Sequence, residues 1–416
     1  MPKYSSVRLG NVSLAWRHLE CWGIVIALYL QSGATGTLES RLFPLATLVI
    51  VAALFANNTG QLLLALRRRP LVTFLLALPF LSVAWSTSGS VSLRRAFALM
   101  LSFILAYVLA IRFTPRQLLL LAAAALFPAL AASLVALVAL PSIAIMPDGS
   151  VNGLFSHKNL LGWHAAVALM VGAIMIREAV VPRWIGFTLT ATSLVCMLVS
   201  GSATALLSVL AALLLGLFYT GLKRLHGARR IALVLIVLQA ATAAYFIGSE
   251  IVVPALEALG KDTTLTGRVP MWRLEDKAIM DRPLLGYGYQ AFWSDGSGAA
   301  WRIRAEIAWD SPNAHNGYRE TLLSFGLVGF LPFMFLLLRT LVRGASFHIA
   351  APDESWLGIN ILIGMLLVMN ITESIFYMPY SFMFTLFLAA VLMIAVRTPG
   401  FYREQEVQRY PLYGAA

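Results

Sequence analysis

The chain has 416 residues, of which 59% are hydrophobic and only 12% charged, and its mean hydropathy is +0.80. A soluble domain carries about 25% charged residues, so the composition excludes an ordinary soluble enzyme and indicates a chain solvated largely by lipid. The net charge of +12 does not argue for nucleic acid as a partner, because most of the basic residues stand in connections between apolar runs, as the positive-inside bias requires.

Twelve apolar runs follow one another, at roughly 19–32, 41–56, 70–85, 91–111, 115–140, 158–176, 183–200, 203–222, 231–248, 316–338, 355–372 and 378–396. About 20 apolar residues carry a helix across a bilayer, so the sequence predicts an all-α integral membrane protein with about 12 transmembrane helices. Lys3, Arg8 and Arg17 precede the first run. With so many runs after it, that run is read as a membrane anchor rather than a cleaved signal. Cys21 and Cys196 both fall within runs, which suggests no disulfide framework. The predicted organisation is helices 1–9 over 1–248, a loop with short amphipathic helices over 249–314, helices 10–12 over 315–397, and a tail over 398–416.

An N-terminus in the cytoplasm puts Arg67-Arg68-Arg69, Arg112, Arg116, Arg177, Arg183, Lys223, Arg224, Arg229 and Arg230 on the cytoplasmic side. Arg339, Arg343, Arg397, Arg403 and Arg409 join them. Every cytoplasmic connection then holds at least two basic residues, and both termini are expected inside. Most of the remaining basic residues lie in the long loop, where the bias is weakest. Arg94, Arg95, Lys158 and Arg319 stand instead at the outer ends of apolar runs. That placement suits an anion site at the outer face, or snorkelling to lipid phosphates.

The long loop reads as a small helical cap resting on the membrane. Pro270 suits a first helical turn, Trp272, Leu274, Ala278 and Ile279 keep a helical period, and Pro283 stops it. "PLLGYGYQAFW" follows, with glycines for a tight turn and aromatics for a surface facing lipid or sugar. Trp301, Ala305 and Trp309 then recur every fourth residue, with an Arg302–Glu306 pair expected to support a second helix.

The polar residues that could carry chemistry fall in "GLFSHKNLLGWH" (Gly153–His164), "LTGRVPMW" with "RPLLGYGYQAFW", and "NAHNGYRETLLSFGLVG" (Asn313–Gly329). None forms a metal-binding pattern, a phosphate-binding glycine loop or a dinucleotide fingerprint, so neither metal nor cofactor is expected. Together with "LSVAWSTSGSVSLRRA" (Leu81–Ala96), these stretches resemble the O-antigen ligase / polysaccharide polymerase (Wzy_C) family, and within it the exopolysaccharide polymerases of the ExoQ type. The likeness rests on His157-Lys158-Asn159, the "TGR…W" and "PLLGYG" stretches, and the ten residues between His315 and Gly326. One departure stands out: where the family often has a basic residue in "S-x-S-R/K-T", this chain has Ala203.

The resemblance implies a GT-C-like glycosyltransferase of the bacterial inner membrane. Such an enzyme transfers a glycan from an undecaprenyl-pyrophosphate carrier to an acceptor sugar hydroxyl at the periplasmic face, without a metal. A polymerase uses a second lipid-linked oligosaccharide as acceptor and a chain-length regulator is a candidate partner; a ligase uses lipid A-core. The ExoQ-like wording favours the polymerase.

The residues suit that chemistry. Breaking the sugar–phosphate bond develops negative charge on the departing pyrophosphate, which preorganised cations stabilise. Arg268 is the leading candidate, since an arginine fork can take two phosphate oxygens. Lys158, Arg94, Arg95 and Arg319 are further pyrophosphate candidates, and the first three could replace the cation missing at Ala203. His315 is the candidate general base. It precedes a helix N-terminus and Arg319, both of which favour a neutral imidazole. Asn159, Asn316 and Tyr318 are read as supporting or sugar-contacting residues. Trp272, Tyr287, Tyr289 and Trp293 are read as sugar platforms or as an interfacial belt. His157 and His164 read as structural, the first as a helix cap. Arg273, Arg282, Arg302 and Arg304 read as surface, and for the lone Glu373 pairing with a site cation is the minor reading. A transporter of lipid-linked sugar is the reading from another class. It would place ionisable groups near the midplane, whereas the runs here are almost free of charge at their centres.

Overall fold

The computed structural model describes residues 14–34, 42–247 and 268–397. The residues 249–267 at the start of the predicted cap, with Lys261, lie outside the described residues, as do Lys3, Arg8, Arg41, Arg403 and Arg409. The described residues are mainly helical: α1 (Leu14–Ser32), α2 (Leu42–Arg67), α3 (Pro70–Leu81), α4 (Gly89–Arg112), α5 (Pro115–Ala139), a single turn α6 (Pro141–Ala144), α7 (Lys158–Arg177), α8 (Arg183–Ser200), α9 (Ala203–Arg224) and α10 (Ala228–Ile247). Then come α11 (Arg268–Asp281), α12 (Gly298–Ile307), α13 (Gly317–Ala350), α14 (Trp356–Met369) and α15 (Phe382–Val396).

Each of the twelve apolar runs coincides with a helix, but they are not equal. Among the described residues α2, α4, α5, α7, α8, α9 and α13 are long and apolar enough to cross a membrane. The apolar part of α1, and α3, α14 and α15, are shorter. At 1.5 Å per residue α14 spans about 21 Å against the roughly 30 Å of a hydrocarbon core. Seven of the twelve runs thus meet that criterion among the described residues. The bundle's perimeter is apolar: Val138, Leu213, Leu217 and Phe335 are all exposed, the pattern of a protein whose outer solvent is lipid. Cys21 and Cys196 are free.

Small residues set the closest approaches. A Cβ on Gly172 of α7 would lie 2.5 Å from Thr190 Oγ1 of α8, and one on Gly186 of α8 2.5 Å from Ile176 Cγ1 of α7. Gly162 does the same between α7 and α9, where an added Cβ would sit 2.6 Å from Ser202 Cβ. Membrane helices pack through dispersion and close backbone contact rather than hydrophobic exclusion. Glycine at these positions therefore brings the N-terminal ends of α7 and α9 side by side.

In the described part of the cap, Arg268 starts α11 and Ser297 caps α12 through the Ala300 amide. The cap's aromatics are not the exposed platform expected from the sequence. Tyr287, Phe292 and Trp293 are buried with Met271, Ala278 and Ile303 in a separate small core, and Tyr289 is buried in the main core. The cap needs such a core because it rests on the bundle rather than in it. The predicted Arg302–Glu306 pair does not form among the described residues. Arg304 is the bonded arginine instead, donating to the carbonyls of Ser311 at 3.0 Å and Trp293 at 3.0 Å.

The cap joins the bundle through a break in α13. Gly326 has φ +55° and ψ −159°, outside helical values. In an unbroken helix the amides of Leu327 and Val328 would bond the carbonyls of Leu323 and Ser324. Here the segment Pro283–Gly288 replaces both partners. The Leu327 and Val328 amides donate to the Pro283 and Leu284 carbonyls at 2.8 and 3.0 Å, while the Tyr287 and Gly288 amides donate to Leu323 and Ser324 at 2.7 and 3.1 Å. These four backbone groups each keep a partner across the break, which is the condition for irregular backbone inside a membrane bundle. The stretch before α4 and the first turn of α4 dock beside this segment: Trp85 Nε1 donates to the Leu285 carbonyl at 2.7 Å, and Ser92 Oγ to that of Tyr289 at 2.7 Å. Three motifs that are far apart in sequence thus form one junction.

Candidate active site

The Glu373 carboxylate is the hub of the polar residues at the cap end of the bundle. It lies on the irregular turn between α14 and α15 and is 2% exposed. Asn370 shapes that turn, its side-chain oxygen accepting the amides of Ile375 and Phe376 at 3.0 Å each. Arg268 NH2 donates to Glu373 Oε1 at 3.0 Å. Asn159 Nδ2 and Thr204 Oγ1 approach the same oxygen at 3.5 Å each. His315 Nδ1 stands 3.5 Å from the other oxygen, Oε2.

These groups come from the N-terminal ends of four helices. Asn159 is in the first turn of α7, Thr204 in that of α9, Arg268 opens α11, and His315 immediately precedes the cap of α13. Helix N-termini are the positive ends of their dipoles, so their convergence, with Arg268, explains how a carboxylate is accommodated in an apolar bundle.

His315 is held through its backbone and through one face of its ring. Its backbone is left-handed at φ +44°, a conformation few non-glycine residues adopt, fixed by donation of its amide to Asn313 Oδ1 at 2.9 Å. Trp309 stacks on the imidazole, ring centroids 5.0 Å apart and planes 26° from parallel. Neither ring nitrogen makes a hydrogen bond among the described residues.

Asn316 caps α13, accepting the Tyr318 and Arg319 amides at 3.0 Å each, and its amide group donates to the Ile371 carbonyl at 2.9 Å. It therefore ties His315 to the turn that carries Glu373. Tyr318 donates its hydroxyl to the Leu367 carbonyl at 3.0 Å. Trp272 Nε1 donates to the Ala314 carbonyl at 2.9 Å, one residue before His315. All three brace the site from within. Tyr287 is buried and its hydroxyl donates to the Ala278 carbonyl at 2.9 Å, so it supports the cap rather than meeting a sugar.

The expected cations divide. Arg268 is at the hub. Lys158 directly precedes Asn159 in sequence, and its Nζ lies 3.8 Å from Asp148 Oδ2. Arg319 is turned to α11, gripping both carboxylate oxygens of Asp276 at 3.1 and 3.0 Å and lying over the Trp272 ring at 5.0 Å. Its neighbourhood there displaces the expected role beside the imidazole. Arg94 and Arg95 lie exposed on the first turns of α4 and make no hydrogen bond or ion pair with the hub among the described residues.

His157 caps α7, its Nδ1 accepting the Asn159 amide at 3.2 Å. Burial first, then Lys158, lowers its pKa and keeps it in the neutral form that accepts. His164 is an interior residue, its Nδ1 2.7 Å from the Leu160 carbonyl and its ring between Phe155 and Phe382. Ala203 is the exposed first residue of α9, beside Thr204. The position where the family often has a base thus adjoins the hub. Thr204, Trp309 and Asn370 were not legible as site residues: a threonine in an apolar run and an aromatic near an interface are too common to single out.

These features define a polytopic helical membrane protein with its polar chemistry gathered at one end, under a folded loop. Residues 188–334 match the family model described as O-antigen ligase, in line with the resemblance drawn from the motifs. Over 214 residues the chain is 32% identical to the exopolysaccharide production protein ExoQ of Rhizobium meliloti (strain 1021). That alignment covers 48% of this chain and 47% of the relative, so the chain spans about half the length of the relative it matches. The matched region contains Thr204, Arg268, Trp309 and His315, whereas Asn159 and Glu373 lie outside it.

Proposed function

We propose that the protein is a membrane glycosyltransferase that moves a glycan from a polyprenyl-pyrophosphate carrier, undecaprenyl pyrophosphate in bacteria, to an acceptor sugar hydroxyl. The observation that carries the reading is the shared carboxylate: Glu373 binds Arg268 through one oxygen and faces His315 through the other. With its Nδ1–H toward Glu373, the imidazole presents Nε2 as a proton acceptor. The acceptor hydroxyl gives its proton to Nε2 as its oxygen bonds the anomeric carbon, and the bond from that carbon to the phosphate oxygen breaks. Glu373 then balances the imidazolium, as the carboxylate of a His-carboxylate pair does. The electron pair leaves with the pyrophosphate, where Arg268, Lys158 and the helix N-termini of α7 and α9 face the developing charge. Those N-termini supply the positive potential that a base at position 203 would otherwise give.

The likeness to an exopolysaccharide production protein favours polymerisation of lipid-linked repeat units, with a chain-length regulator as partner. The match to the O-antigen ligase model favours the second reading, transfer to lipid A-core. A deletion strain separates them: loss of a polymerase leaves single repeat units, and loss of a ligase accumulates long carrier-linked chains. The charge distribution supports an inner-membrane placement with both termini in the cytoplasm and the Glu373 end in the periplasm.

The direct test is purified protein in detergent with carrier-linked oligosaccharide. Lengthened or transferred glycan and released carrier pyrophosphate are expected. Transport into liposomes without turnover in detergent would replace this reading with that of a flippase.

A further inference from the structure

The end of the bundle opposite Glu373 holds a cavity of about 140 Å³. Gly317, beside Glu373, and Arg339, on the cavity wall, lie on α13 on either side of its break at Gly326. Arg68, Arg69, Arg339 and Arg343 line this cavity, over an apolar wall that includes Leu71 and Leu336. Arg343 donates to the Arg397 carbonyl at 2.7 Å. Arg68, Arg69 and Arg339 form no ion pair among the described residues. Like charges gathered on one small cavity repel one another unless an anion enters.

The backbone adds to that potential. Helix α3 starts at the cavity with Arg69 as its cap and Pro70 in its first turn, and no side chain caps it. The first amides of a helix have no partner within it and form its positive end. Two independent features, a cluster of arginines and an uncapped helix N-terminus, therefore border one space whose wall is largely apolar.

We infer that this cavity binds the phosphate of an anionic phospholipid. The guanidinium forks and the α3 amides take the phosphate oxygens, and the apolar wall takes the start of an acyl chain. Basic pockets between membrane helices are suited to such head groups. A free phosphate offers the same oxygens; the apolar wall favours the lipid.

Native mass spectrometry of the full chain in detergent tests this, with phosphatidylglycerol, phosphatidylcholine and inorganic phosphate as probes. Phosphatidylglycerol adducts should exceed phosphatidylcholine adducts. The double variant R68Q/R339Q should cut the former roughly ten-fold and leave the latter unchanged, while R68K/R339K keeps most of the preference. R183Q, at the exposed start of α8 outside the cavity, is the control and should match the parent, as should the monodispersity of all variants. Equal binding of the two lipids, or an undiminished preference in R68Q/R339Q, overturns the inference. Displacement of phosphatidylglycerol by equimolar inorganic phosphate would assign the cavity to free phosphate and overturn the lipid. Should R68Q/R339Q fail to stay monodisperse, R339Q alone, on an exposed side chain, gives the same comparison.

Discussion

Arg268 and Glu373 stand 105 residues apart in sequence and meet in an ion pair 3.0 Å long, with side chains only 13% and 3% exposed. The pair fastens the first residue of the cap helix α11 to the irregular turn between α14 and α15. Removing one member of a buried pair leaves the other uncompensated, so each partner is expected to matter for more than its own contact.

His315→Ala should lower turnover by at least about 100-fold while carrier-linked donor still binds, since a positioned base contributes roughly 10²–10⁴-fold. Glu373→Gln keeps the shape and removes the charge, and should reduce kcat more than it raises KM. Steady-state kinetics on both variants check this. Near-normal turnover in His315→Ala would end the general-base assignment.

Arg268 is expected to act on the donor. Arg268→Ala should raise donor KM and lower kcat together, by about 100-fold or more in kcat/KM. Arg268→Lys should recover part of this loss, because a lysine keeps the charge but not the two-pronged fork. Varying donor and acceptor separately distinguishes this from a purely structural role: an effect confined to acceptor KM would contradict it.

Gly326→Ala tests the junction rather than the chemistry. A Cβ there would strike the Leu284 carbonyl, and φ is +55°, so a cost of about 3 kcal/mol or more is expected. Gly60→Ala is the contrast, since a Cβ at that position in α2 meets nothing within 4 Å and should be neutral or stabilising by ~1 kcal/mol. Thermal unfolding in detergent reads both.

The cap should loosen as pH rises. Glu275 is fully buried between α11 and α13, with both carboxyl oxygens lacking hydrogen bonds. Burial, and then the neighbouring Glu320, raise its pKa well above the ordinary 4.5. The folded state then keeps a proton that the unfolded chain releases, so the stabilisation is complete below about pH 4.5 and is lost as pH climbs through the raised value. Glu275→Gln, neutral at every pH, should flatten the fall of Tm on the alkaline side. An equally steep fall in the variant would clear Glu275.

Much of this was legible in the sequence. The twelve apolar runs became helices, Pro270 and Pro283 bounded α11 to within a few residues, and His157 caps α7 as expected. Arg268 and His315 both stand against the Glu373 carboxylate. The misreadings have a common cause. Arg319 was expected near the imidazole or phosphate because it follows His315 by one helical turn, but Asp276, 43 residues away, offers both oxygens to its fork. The "PLLGYG" aromatics were expected at a surface because a loop is usually exposed; this loop has a core of its own.

Composition and period alone determined a lipid-embedded bundle of helices, because about 20 apolar residues have few other places to go. Spacing marked where its polar residues cluster. Only the tertiary structure decided which of those residues meet. Glu373, a lone carboxylate in the sequence, becomes the hub because four helix N-termini converge on it, and that convergence depends on backbone approach at Gly162 and on a turn shaped by Asn370. The ten residues between His315 and Gly326 likewise acquire a physical meaning. They span the first segment of α13, from the candidate base to the break where the cap is received. A helical period records which face of a helix is apolar; it carries no record of which other helix will be brought to its end.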